Sequence, residues 1–173
     1  GLGYQIAPSR GIAHFRGFDA TIDDLLKQAD LAMYQAKAMG RNSMQFFDPS
    51  MQSVVTARVA LEADIRQAIT QGQFVLYFQP QIIGDGSSTG AEVLLRWPHP
   101  QRGMVPPNEF ITLAEDTGLI LPLGNWVLET ACHQLTQWAK NPRTENMTLA
   151  VNVSARQFRQ QDFVSYVSDL IQY

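Results

Sequence analysis

The chain has 173 residues, of which 45% are hydrophobic, 10% aromatic and 17% charged, a composition that builds a packed core and excludes disorder. Thirteen Lys and Arg against sixteen Asp and Glu leave a net charge of −3, which excludes general affinity for polymeric nucleic acid but leaves room for a small phosphorylated ligand. The single cysteine, Cys132, excludes a disulfide framework and a cysteine-based zinc site. No apolar run approaches the roughly 18–20 residues of a membrane helix, so no membrane contact is expected from this segment and the cytosol is the expected compartment. The chain begins with Gly rather than Met, and the expectation is a fragment whose membrane or sensory part lies upstream.

Gly11 to Phe15 read as a short strand. Between Thr21 and Gly40, the residues Ile22, Leu25, Leu26, Ala29, Met33 and Ala36 follow the spacing of an amphipathic helix. Thr21 with Asp24 makes a capping box at its start, and Gly40 stands where a left-handed closing residue is expected. Met44 to Phe47 read as a second strand, stopped by Asp48-Pro49-Ser50. A helix through Leu61, Ile65, Ala68 and Ile69 ends near Gly72 and links two units. Beyond it, Phe74 to Phe78 is a strand of high β-propensity, and the Gly84-Asp85-Gly86 turn leads to another over Gly90 to Trp97. A Pro- and Gly-rich loop from Pro98 to Pro107 follows, and Asn108 is placed to cap a short helix through Phe110, Leu113 and Ala114 that closes at Gly118. A longer helix carries Trp126, Val127, Ala131, Leu135 and Trp138 on one side, a pattern of core rather than of cofactor binding. Thr148 to Ser154 read as a strand, and Phe163, Val167, Leu170 and Ile171 begin a last helix. Strands alternating with helices at this spacing predict a mostly parallel sheet or an α/β barrel.

Glu92 carries the most information, because burying a carboxylate inside an apolar strand is costly unless a metal or hydrogen bonds compensate. Side chains alternate along a strand, so Glu92, Leu94 and Arg96 share one face while Ala91, Val93, Leu95 and Trp97 share the other. At about 3.3 Å per residue, Glu92 and Arg96 lie about 13 Å apart, one end suited to a cation and the other to a phosphate. A strand edge with two solvated charges reads equally well from the residues alone. Asn152, among β-branched neighbours, offers an amide oxygen suited to magnesium, manganese or calcium, or else satisfies backbone groups at a strand end. Gln79, before Pro80, either meets a base edge or ends its strand. His14, His99 and His133 are too scattered for a histidine metal site, and His99, in a loop after Trp97-Pro98, is expected to be solvated.

Two groups of motifs carry a family resemblance. Ser9-Arg10-Gly11-Ile12-Ala13, Ala29-Asp30-Leu31-Ala32-Met33-Tyr34-Gln35-Ala36-Lys37 and Gly40-Arg41-Asn42 resemble the C-terminal end of the GGDEF family, the diguanylate cyclases. Phe78-Gln79-Pro80, Gly90 to Trp97, Val105 to Ile111, Leu113 to Ile120 and Asn152-Val153-Ser154 resemble the first half of the EAL family, the cyclic di-GMP phosphodiesterases. The order matches the tandem arrangement in which these families commonly occur. The resemblance implies an α/β protein: the end of a GGDEF domain over residues 1–50, a linker helix over 51–60, and over 61–173 the first part of an EAL-type (β/α) barrel. A complete barrel of this kind runs to about 250 residues, so the barrel here is truncated.

The resemblance further implies that Glu92 and Asn152 are metal ligands for Mg2+ or Mn2+. It sets Arg96 on a substrate phosphate, and Gln79 and Leu94 against the dinucleotide. Lys37 and Arg41 match positions that meet nucleoside triphosphate phosphates in the cyclases, although a basic helix end also answers the helix dipole. The implied function of the parent protein is hydrolysis of cyclic di-GMP to the linear dinucleotide, with the segment itself inactive and an EAL-mediated homodimer allowed. The alternative is a degenerate GGDEF–EAL pair that binds cyclic di-GMP without turning it over. Three departures from the family pattern stand out. The name-giving triplet reads Glu-Val-Leu, with Val93 on the face away from the site. Ser87-Ser88-Thr89 replaces apolar strand residues and is expected to weaken the hairpin. Arg10 stands where the cyclases favour an aliphatic residue.

Overall fold

The computed structural model describes residues 8–17, 20–39, 42–84 and 86–172. Gly40, Arg41 and Asp85, each named in the sequence reading, lie outside the described residues. The chain divides into two compact units, Gly1–Ala60 and Leu61–Tyr173.

In the first unit, β1 (Arg10–Ile12) and β2 (Met44–Phe46) pair in parallel around the helix α1 (Ile22–Ala38). The expected capping box starts α1: Thr21 Oγ1 accepts from the Asp24 amide at 3.2 Å and donates to Asp24 Oδ2 at 2.6 Å. The buried side of α1 is narrower than the apolar stripe suggested. Ala32 and Ala36 are buried, whereas Ile22 and Leu26 are 76% and 60% exposed. The cause is the close approach of β1, where a Cβ on Gly11 would overlap the Ala29 carbonyl and the Met33 amide, so the small residues face the strand. The Asp48-Pro49-Ser50 stop is also a start. Asp48 Oδ1 accepts from the Ser50 amide at 2.8 Å and opens α2 (Pro49–Gln71), whose residues from Leu61 onward belong to the second unit.

The second unit continues with β3 (Val75–Ile82), β4 (Ser88–His99), β5 (Gly103–Val105), α3 (Pro107–Thr117), α4 (Ile120–Trp138), β6 (Thr148–Val151), α5 (Ala155–Phe158) and α6 (Phe163–Gln172). β4 is the central strand. β3 pairs antiparallel along one side of it, and the other side takes β6 in parallel at Gly90 to Val93 and β5 antiparallel at Trp97 to His99. The expectation of a mostly parallel sheet therefore fails: among the described residues of this unit only the β4–β6 pairing is parallel. Connection length explains it, because a tight turn from Ile83 to Ser87 joins β3 to β4 and three residues join β4 to β5, whereas a parallel neighbour needs a long crossover, supplied here by α3 and α4. The hairpin forms despite Ser87-Ser88-Thr89, with Ser88 Oγ donating to the Gly90 carbonyl at 3.2 Å.

Boundaries shift for local reasons. β3 runs past Gln79 to Ile82, since β3 lies at the sheet edge, where a proline costs no ladder bond that matters. Asn108 does not cap α3. Pro106 holds the cap position and Pro107 the first turn, where a missing amide hydrogen is no loss, and Gly118 closes the helix in the left-handed region at φ 83° as expected. β6 stops at Val151, so Asn152 lies just beyond the strand rather than inside it.

The face of β4 that carries Ala91, Val93 and Trp97 is the buried one. Trp97 is fully buried, with the rings of Phe74 and Phe110 at 5.3 and 5.5 Å and its indole N–H directed to Gln73 Oε1 at 3.4 Å. Val93 sits under α4 against Val127 and Ala131. His99 is not solvated as expected. Its side chain is 8% exposed, its Nδ1 accepts from the amides of Gln101 and Arg102, and its Nε2 lies 3.4 Å from Asp64 Oδ2, which also binds Arg102 at 3.0 Å. The turn closing β4 onto β5 folds its backbone donors onto the imidazole, which withdraws the ring from water.

Trp97→Ala is expected to lower the unfolding free energy by about 3–5 kcal/mol, the usual cost of deleting a buried indole, read as a reduced urea midpoint. A second expectation concerns Tyr166 on α6, whose phenol donates to Glu129 Oε1 of α4 at 2.8 Å. Burial, followed by that hydrogen bond, raises its pKa from 10.0 to about 12. The protonated form is favoured in the folded state, so this contribution is complete below pH 10 and is lost as pH rises towards about 12. Tyr166→Phe should flatten that alkaline decline in a pH series of thermal melts.

Candidate functional site

Residues directly opposite one another in a sheet share a face. The register sets Gln79 opposite Glu92, Tyr77 opposite Leu94 and Val75 opposite Arg96, and on the other side of β4 sets Ala150 beside Glu92. Asn152, two residues beyond Ala150, leaves the end of β6 on that same face. Gln79, Glu92, Leu94, Arg96 and Asn152, which the sequence reading drew from separate motifs, are thus brought together on the sheet face opposite the helices. Val93 points the other way, as strand alternation requires.

Glu92 and Asn152 touch. The Asn152 amide Nδ2 donates to Glu92 Oε1 at 2.8 Å, across a sequence separation of 60 residues. Glu92 is half-buried and Asn152 exposed at the mouth of the face. Four residues along β4, the Arg96 guanidinium lies over the Tyr77 ring at 5.7 Å and donates to the Leu95 carbonyl at 2.9 Å. Tyr77 escaped the sequence reading. The signal was present, since alternation puts it on the face of Gln79. Beside these residues opens a cavity of about 420 Å3, reached by Arg96, Glu115, Asn152, Ser154 and Gln157 and otherwise lined mostly by apolar residues of β4, α3 and α4.

Lys37 stands in the first unit, exposed in the last turn of α1. Arg41 lies outside the described residues.

The chemistry of Glu92 and Asn152 fits a hard divalent cation, because both offer oxygen donors. Two donors are part of such a site, not the whole of one. Among the described residues no group of three or more His, Cys, Asp and Glu stands together. No helix among them is long and apolar enough to cross a membrane.

A mixed sheet with helices on one face, and with oxygen donors and a guanidinium gathered on the other, defines the class of this module. The chain belongs to the EAL domain family, whose model matches residues 62–173. It is 41% identical over 168 residues to the bifunctional diguanylate cyclase/cyclic di-GMP phosphodiesterase MucR of Pseudomonas aeruginosa, covering 96% of this chain and 24% of MucR. It is 37% identical over 156 residues to the cyclic di-GMP phosphodiesterase PdeR of Escherichia coli, covering 90% of this chain and 23% of PdeR. Among solved structures, the MucR phosphodiesterase in complex with cyclic di-GMP superposes with a TM-score of 0.63 at 41% identity, covering 65% of this chain and 46% of that one. The chain spans about a quarter of the length of these curated relatives.

Proposed function

We propose that this chain is the end of a GGDEF-type unit, over residues 1–50, followed by a linker helix over 51–60 and the first part of an EAL domain over 61–173. In this reading the whole protein hydrolyses cyclic di-GMP to the linear dinucleotide. The observation that carries the proposal is the contact of Glu92 with Asn152 on the face that also holds Gln79, Leu94 and Arg96. The names of MucR and PdeR and the cyclic di-GMP complex of MucR support the ligand and the reaction.

Glu92 and Asn152 hold a divalent cation, Mg2+ or Mn2+, through their side-chain oxygens. When bound, such cations supply Lewis-acid stabilisation of the phosphodiester and a water of lowered pKa. Arg96 presents its guanidinium to a phosphate, where a planar fork makes paired, charge-assisted hydrogen bonds, and the Tyr77 ring beneath it limits where that fork can swing. Gln79 meets a guanine edge and Leu94 the body of the dinucleotide. In the first unit, Lys37 and Arg41 correspond to phosphate-binding positions of the cyclases. Among the described residues no cluster of further acidic or histidine ligands joins Glu92 and Asn152, and the 173-residue chain by itself is expected to be inactive.

Substitution separates the two faces of β4. In the full-length protein, Glu92→Gln should abolish hydrolysis and weaken Mn2+ binding, while Val93→Ala, which loses packing on Val127 and Ala131, should stay within a few-fold of wild-type turnover. Equal damage from both would overturn the assignment of faces. Arg96→Ala should weaken cyclic di-GMP binding at least about tenfold, the equivalent of 1.4 kcal/mol, with Arg96→Lys recovering only part. Calorimetric titration in Ca2+ measures this without turnover. Wild-type affinity in Arg96→Ala removes Arg96 from the site, and tight wild-type binding without hydrolysis in Mg2+ or Mn2+ identifies a receptor instead of an enzyme.

A further inference from the structure

Asn152 has left the sheet, so something other than strand pairing must fix it. Within the next five residues the chain is fastened to both covering helices. Ser154 and Gln157 form a reciprocal capping box on α5. Ser154 Oγ accepts from the Gln157 amide at 3.2 Å, and Gln157 Oε1 accepts from the Ser154 amide at 3.2 Å and from its hydroxyl at 3.0 Å. Four-residue helices are weak by themselves, and this one needs an outside support. Gln157 is the one buried polar residue among those described, 3% exposed, and its carboxamide lies directly against Gly124 of α4. A Cβ at Gly124 would overlap the nitrogen, carbon and oxygen of that carboxamide together. The Gln157 side chain is nearly fully buried and tied to Ser154 through both its backbone amide and its Oε1, so a Cβ at Gly124 would push it off those bonds towards the cavity it borders.

Arg156 makes the second fastening. Its guanidinium donates to the carbonyls of Glu115 and Asp116 in the last turn of α3, where the negative end of the helix dipole favours a cation, and it lies over Gly118.

We propose that Gln157, seated on Gly124, is a positioning residue that fixes the Asn152 side chain against Glu92. The role rests on the reading of Glu92 and Asn152 as cation ligands. A neutral amide suits the seat: it keeps the capping box of a glutamate without burying a charge. The seat also explains a glycine in mid-helix, where the residue lowers helix stability, because a methyl group there would displace the latch.

The test measures Mn2+ affinity of the full-length protein by electron paramagnetic resonance, with thermal melts to establish that each variant is folded. Gly124→Ala and Gln157→Ala should each weaken Mn2+ binding by about 10- to 100-fold, the usual consequence of disturbing a group behind a metal ligand. The double variant should be no weaker than Gln157→Ala, because both changes act through one contact. Native Mn2+ affinity in a folded Gly124→Ala protein overturns the proposal, as does additive loss in the double variant. If Gly124→Ala does not fold, Gln157→Ala decides by itself: native affinity in that variant overturns the latch. Glu92→Gln serves as the reference, since unchanged Mn2+ binding there refutes the ligand reading rather than the latch.

Discussion

The amide of Asn152 meets the carboxylate of Glu92 at 2.8 Å because β4 and β6 run side by side in parallel, with Ala150 beside Glu92. A parallel neighbour demands a long crossover, and α3 and α4 are that crossover. They cover the back of β4, so its alternation is forced: Val93 and Trp97 go under the helices, and Glu92, Leu94 and Arg96 go to the open face. The site follows from one strand pairing. Remove it, and the carboxylate loses its partner and the helices lose their path.

The fold could be read from the sequence wherever local chemistry decides. The Thr21 capping box, the left-handed Gly118 and the long apolar helix through Trp126 and Trp138 all stand where their residues require. Strand direction could not be read this way. Alternation of strands and helices suggests parallel neighbours, yet the turn after Ile83 is too short for anything but a hairpin, and the short loop after His99 repeats the effect on β5. Burial of α1 failed for a related reason. Which part of an apolar stripe is covered depends on the strand laid against it, and β1 at Gly11 admits only alanines and the backbone of Met33.

At the candidate site, period-two alternation on β4 was enough to join Glu92 with Arg96 and to separate Val93 from both. Asn152 and Gln79 came from motifs, and only the register of β3 and β6 shows that they belong to the same face. Tyr77 and Gln157 were missed for different reasons. Tyr77 matters through a diagonal contact with Arg96 across two strands, which needs the register. Gln157 was legible in part as the fourth residue of a Ser-x-x-Gln capping box, but its burial against Gly124 depends on where α4 passes. His99 follows Trp97-Pro98 in a sequence pattern that suggests a solvated loop, yet it is held by two backbone amides of its own turn and by Asp64 from α2.

The central claim is that Glu92 and Asn152 share a cation while Arg96 holds a phosphate of the same ligand. Crystals of the full-length protein grown with cyclic di-GMP and Mn2+, with data collected at the manganese absorption edge, test it directly. The expected result is an anomalous peak within coordination distance of oxygens from both Glu92 and Asn152, with the Arg96 guanidinium on a phosphate of the dinucleotide. Cyclic di-GMP bound elsewhere, or manganese that touches neither residue, would contradict it.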